Sequence, residues 1–213
     1  MKKEEFIEYV FDSNGIRLTD DQFSGKEKIE NRLRLEDLTE IPEGFNPYVG
    51  GGLFLNSLTS IPKGFNPKVG GSLTLNSLTS IPKEFNPMVN GDLYLDSLTS
   101  IPEGFNPVVG GNLILVNLTS LPKGFNPVVG GSLWLNRLTS IPEGFNPIVR
   151  SDLWLNRLTS IPEGFNPEVG GSLWLNRLNE IPENWYPSKV EGGIYIIGVI
   201  NIKPILNFMN FEI

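Results

Sequence analysis

Apolar residues recur along this chain with two superimposed periods. Pairs of leucines separated by one residue stand at Leu33/Leu35, Leu53/Leu55, Leu73/Leu75, Leu93/Leu95, Leu113/Leu115, Leu133/Leu135, Leu153/Leu155 and Leu173/Leu175, so the longer period is twenty residues. A degraded copy follows at Ile194/Ile196, displaced by one position because WYPSKV is one residue longer than FNPxV. Within a unit the apolar columns repeat; in the sixth they are Leu133, Leu135, Leu138, Ile141, Phe145 and Val149. The alternation L-x-L predicts a short strand with both leucines facing inward. Pro142 lacks the N–H that a sheet ladder needs, so any strand ends there. Gly144 suits a tight bend, Phe145 returns to the core, and Asn146-Pro147 is a second turn signal. One unit cannot bury enough apolar surface to fold alone, so neighbouring units must stack and cover each other's leucines.

The pattern predicts a mainly β fold: a parallel solenoid of about nine twenty-residue coils, roughly 40 Å long if strands lie about 4.8 Å apart. The expected organisation is an N-terminal helical cap over residues 1–29, an eight-unit solenoid over 30–190, and a degraded ninth coil with a β-rich C-terminal cap over 191–213. In the first segment Phe6, Ile7, Val10 and Phe11 have helical spacing, and Asp12-Ser13-Asn14-Gly15 would end that helix. The apolar tail GGIYIIGVINIKPILNFMNFEI is expected to supply the last rung and cover its open edge.

The stretch LxLxxLTSIPxGF, over about residues 31–204, resembles a leucine-rich repeat, closest to the BspA-like bacterial class. That resemblance implies a parallel sheet on one face, irregular extended or 3₁₀ structure on the other, and an outward strand face that serves as the ligand surface. Two departures are visible. Leucine, such as Leu138, stands where ordinary leucine-rich repeats place asparagine. The asparagine column (Asn46, Asn66, Asn86, Asn106, Asn126, Asn146, Asn166) comes after the phenylalanine instead. A generic β-solenoid is the alternative.

Composition narrows the function. The net charge is −7, which disfavours general nucleic-acid binding. The chain has no cysteine and no histidine, which removes disulfides, thiolate or imidazole metal sites and the commonest general base. No P-loop, GxGxxG or HExxH occurs, and no enzyme activity or cofactor is expected. Glu103, Glu143, Glu163 and Glu183 share their column with Lys63, Lys83 and Lys123, which reads as a solvated corner. Asp92 and Asp152 stand isolated, which argues against a calcium-binding roll. No run of eighteen apolar residues and no signal-peptide pattern is present, so a cytoplasmic location without a membrane span is expected.

The informative positions are those the core leaves free. Between the paired leucines the column reads Arg34, Phe54, Thr74, Tyr94, Ile114, Trp134, Trp154, Trp174 and Tyr195. Beside the tryptophans run Asn136, Asn156 and Asn176, then Arg137, Arg157 and Arg177. Trp185 takes the core phenylalanine's place and reads as structural. Three outward tryptophans on consecutive rungs would form an apolar patch of the kind monomers seldom leave free, and Trp and Arg are enriched at interface hot spots. The expected function is a non-catalytic protein-binding scaffold using these ten positions: Tyr94 and the three Trp-Asn-Arg sets. Alternatives are an inhibitor or decoy acting on another protein, a carbohydrate-binding solenoid, self-association through the tryptophan face, or a ladder that only stabilises the sheet through cross-strand pairs. Met88, Val108, Val128 and Ile148 form a further apolar column, expected to pack on one another or on the tail, with an exposed strip as the alternative.

Overall fold

The computed structural model describes residues 1–183 and 185–197, together with the backbone strand Phe211–Glu212. It is a parallel β-solenoid of stacked coils. Each unit contributes two short strands, for example Val128–Val129 and Leu133–Trp134. The first kind builds an eight-stranded "valine sheet" from Lys28–Ile29 to Glu168–Val169. The second builds a ten-stranded "leucine sheet" from Leu33–Arg34 through Ile194–Tyr195 to Phe211–Glu212. Register is one unit per rung: Val128 pairs with Ile148, and Leu133 with Leu153. At the last unit Leu173 pairs with Ile194, which absorbs the extra residue.

The second sheet departs from the single-sheet coil that the leucine-rich-repeat pattern implies. Its cause lies in the segment Phe-Asn-Pro-x-Val. Phe145, Pro147 and Val149 are buried while Ile148 is exposed, so the chain alternates inward and outward as a strand before reaching the glycine corner. Backbone bonds then run between coils on both sides of that corner. Arg150 N donates to Val129 O at 3.0 Å, and Leu135 N donates to Trp154 O at 2.9 Å. The rest of each coil is turns. Leu138 N donates to Leu135 O and Phe145 N to Pro142 O, each at 3.3 Å.

On the turn-rich side, side chains take over the bridging between coils. The side-chain oxygen of each asparagine from Asn46 to Asn146 accepts the backbone N–H of its counterpart one rung later, at 2.5–3.1 Å. The same side chains reach forward to a turn carbonyl, as Asn126 Nδ2 does to Gly144 O at 3.0 Å. Inside, Phe65 to Phe165 stack at 6.1–6.3 Å with ring planes 4–7° apart. Equivalent rings in equivalent units are displaced by the local rise of the coil. That rise is larger here than the roughly 4.8 Å of paired strands, so the stack fans open on the phenylalanine side.

The N-terminal end is closed by two helices, α1 (Lys3–Asn14) and α2 (Asp20–Ser24). Phe6 and Val10 are fully buried, whereas Phe11 is exposed. Phe6 and Phe23 lie 4.5 and 5.4 Å from Phe45, extending the aromatic core over the first coil. Helix α1 stops at Gly15, whose φ of 69° is left-handed and whose N–H donates to Phe11 O at 2.8 Å. Asn14 then caps the first leucine-sheet strand. Its Oδ1 accepts from Arg34 N at 2.7 Å and its Nδ2 donates to Arg34 O at 3.0 Å, which occupies an edge that would otherwise be open. Strand pairing already begins at Lys28, inside the segment expected as cap. Most of the expected C-terminal cap, residues 198–210 and 213, lies outside the described residues. Among the described residues no helix is long and apolar enough to cross a membrane.

Met88, Val108, Val128 and Ile148 correct the expectation that they pack away: they are 62, 67, 43 and 42% exposed. They occupy the outward position of the valine sheet, whose existence the short spacing from Pro to Gly concealed.

Candidate partner-binding face

The outward column of the leucine sheet is set by alternation: Leu133 and Leu135 are fully buried, so Trp134 between them must point out. Parallel pairing without offset then brings Trp134, Trp154, Trp174 and Tyr195 into line. Their rings lie face to face, with centroids 5.1, 4.6 and 4.1 Å apart and planes within 20°. The three tryptophans are only half-buried, but not freely exposed as their outward direction alone suggests. Each ring covers its neighbour, and what remains to a partner is a continuous edge. The Nε1 atoms of Trp154 and Trp174 are buried and have no hydrogen-bond partner among the described residues.

The flanking columns behave differently from each other. Asn176 Nδ2 donates to Asn156 Oδ1 at 2.9 Å and Asn156 Nδ2 donates to Asn136 Oδ1 at 3.3 Å, so these side chains form one chain across three rungs. Arg137, Arg157 and Arg177 are exposed beyond them. Arg137 donates to Asn117 Oδ1 at 3.0 Å, which orients its guanidinium along the face. Tyr94 is set apart from the tryptophans by Ile114. Its hydroxyl donates to Asp92 Oδ2 at 3.2 Å, and burial together with the nearby Asp92 charge pushes its pKa up.

One feature of this face escaped the reading of the sequence. From Leu73 to Leu173 the residue before each first leucine is a short acceptor: Ser72, Asp92, Asn112, Ser132, Asp152, Ser172. Each side-chain oxygen accepts the backbone N–H one rung later, as Ser132 N donates to Asn112 Oδ1 at 2.7 Å and Ser172 N to Asp152 Oδ1 at 2.8 Å. Asp92 and Asp152 are thus rungs of a ladder. The available signal was that, from Ser72 to Ser172, every residue in the column can accept at short reach. Among the described residues no group of three acidic side chains could hold a metal ion.

Toward the N-terminus the aromatic column is broken. Arg34 lies over Phe54 at 5.5 Å, then Thr74 intervenes before Tyr94. Thr74 is buried and its hydroxyl has no partner among the described residues. A groove of about 1030 Å³ runs here, lined by Asn14, Arg34, Phe54, Thr74 and Tyr94 among others. Half-buried Asp96, two residues beyond Tyr94, has a carboxyl raised above its ordinary value by burial. Trp185 belongs to the core: it stacks on Phe165 at 6.2 Å, and its Nε1 donates to Phe165 O at 2.8 Å.

Comparison of the chain with protein-family models, with curated proteins and with solved structures returned no match.

Proposed function

We propose that this solenoid is a non-catalytic scaffold that binds a protein through the stacked edge of Trp134, Trp154, Trp174 and Tyr195, with Arg137, Arg157 and Arg177 alongside. The supporting observation is the continuous face-to-face stack at 4.1–5.1 Å. Rings held by both neighbours have already lost their rotational freedom, so binding costs little further ordering. Exposed arginines next to aromatic edges match the residue types that dominate protein interfaces. The closed stacking favours a protein over a sugar or an unpaired base, because both of those bind to a ring's face and here the inner faces are occupied. The resemblance of L-x-L-x-x-L-T-S-I-P to a leucine-rich repeat belongs to the same reading, since it implies that the outward strand face is the contact surface.

The test is affinity capture from a source lysate, using the native chain beside a Trp134→Ala, Trp154→Ala, Trp174→Ala variant. The variant should keep its far-UV circular dichroism and lose the captured protein. Unchanged capture by a folded triple variant refutes the reading.

A further inference from the structure

The valine sheet carries a second face, separate from the tryptophan stack. Along its outward column lie Lys28, which Glu30 holds at 2.7 Å, then Tyr48, Lys68, Met88, Val108, Val128, Ile148, Glu168 and, after the one-residue insertion, Lys189. Four consecutive rungs are apolar and 42–67% exposed, with a cation at one end and an anion at the other. Lys68 makes no ion pair among the described residues. Glu168 holds Lys189 at 2.9 Å but keeps about half of its side chain exposed. The position two residues on holds Gly50, Gly70, Gly110, Gly130 and Gly170, where from Gly70 onward a Cβ would strike the backbone of the preceding coil, with Asn90 and Arg150 in the same column.

Over the eight rungs from Tyr48 to Lys189 these columns share one centre, between the rungs of Val108 and Val128. Reversing the ladder about it sets Val108 on Val128, Met88 on Ile148, Lys68 on Glu168 and Tyr48 on Lys189. In the adjacent column it sets Gly110 on Gly130, Asn90 on Arg150 and Gly70 on Gly170. A two-fold axis along the strand direction performs this operation on two identical sheets laid face to face. We infer that the valine sheet is a self-association surface, on which a second copy of this chain packs antiparallel with two Lys68–Glu168 pairs flanking the apolar centre. A two-fold axis along the stack would instead set Lys68 on Lys68 and Glu168 on Glu168, so charge selects the reversed arrangement. The glycine column adds no side chain to the contact, and Asn90 and Arg150 meet as an amide facing a guanidinium.

The contact is modest. Eight rungs about 4.8 Å apart and two columns wide bury on the order of 1,000 Å² in total, which belongs to weak, reversible association. Sedimentation velocity on the full chain, from about 10 to about 500 µM, covers the affinities such an area gives. The native chain should shift from monomer to dimer over that range. Lys68→Glu and Glu168→Lys should each weaken association by about tenfold or more, because each places like charges at both flanking positions. An equimolar mixture of the two variants restores opposite charges at both positions and should dimerise like the native chain. Val128→Lys should abolish the dimer. All of these positions are exposed, and unchanged circular dichroism verifies folding. A native chain that stays monomeric at the highest concentration overturns the proposal. So does a mixture that fails to recover, or a dimer lost with Trp154→Ala and kept with Val128→Lys.

Discussion

Removing one asparagine from the turn-rich side tests how coils are held where no sheet bridges them. Asn126 accepts the backbone N–H of Asn146 at 2.6 Å and donates to Gly144 O at 3.0 Å. Asn126→Ala removes both bonds, each worth about 0.5–1.5 kcal/mol net. The side chain is exposed, so water partly replaces them, and a loss of about 1–2 kcal/mol is expected. The decisive measurement is a double-mutant cycle with Asn146→Ala. The side chain of Asn146 bonds only the next coil, Asn166 N and Gly164 O, so the two side chains share no bond. Their effects should add to within about 0.5 kcal/mol. Asn156 and Asn176 on the tryptophan face bond each other directly at 2.9 Å, and their alanine variants should show coupling above that level. Urea unfolding followed by circular dichroism reports the whole array. Fluorescence reports only the C-terminal half, since all four tryptophans lie at or beyond position 134. Non-coincident transitions would show that coils unfold separately. Strong coupling in the first pair, or none in the second, would refute the division into a directional backbone ladder and a side-chain chain.

Three further outcomes are expected. Thr74→Val should stabilise the fold by about 1 kcal/mol in thermal or urea unfolding, because it keeps the branched shape and removes a buried hydroxyl with no partner. Gly144→Ala should cost about 1 kcal/mol, since Gly144 has a φ of 77° and open space around a Cβ, whereas Glu84 at the equivalent turn has no positive φ and Glu84→Ala should be nearly neutral. Burial raises the carboxyl of Asp96, so its contribution favours the fold below the ordinary value of 3.8 and is lost as pH rises through the raised folded value. Asp96→Asn should therefore be more stable than the native chain at about pH 7, with a difference that shrinks at about pH 3; a constant difference would refute this.

Read alone, the chain determines the unit, its inward columns and the line of outward tryptophans, because twenty-residue translation and L-x-L alternation are local rules that stacking repeats without offset. Leu133, Leu135, Leu138, Phe145 and Val149 are all buried, and Ile141 is nearly so. Trp185 was legible as a core residue for the same reason. Whether a short apolar stretch such as Pro147-Ile148-Val149 is a corner or a strand depends on the coil across from it, so the second sheet needed the tertiary structure. The state of Trp154 likewise depends on neighbours twenty residues away on each side: sequence alternation sets the direction of the ring, and only the stacked rungs decide how much of it is covered. The ladders of Asn126 and of Asp152 were visible as columns, but a short polar side chain in a column has no readable partner until the rise between coils is known. That rise, tight at the leucine sheet and wide at the phenylalanines, is a property of the stack as a whole. The stack likewise decides that Val108 and Val128 lie on a sheet separate from the tryptophans.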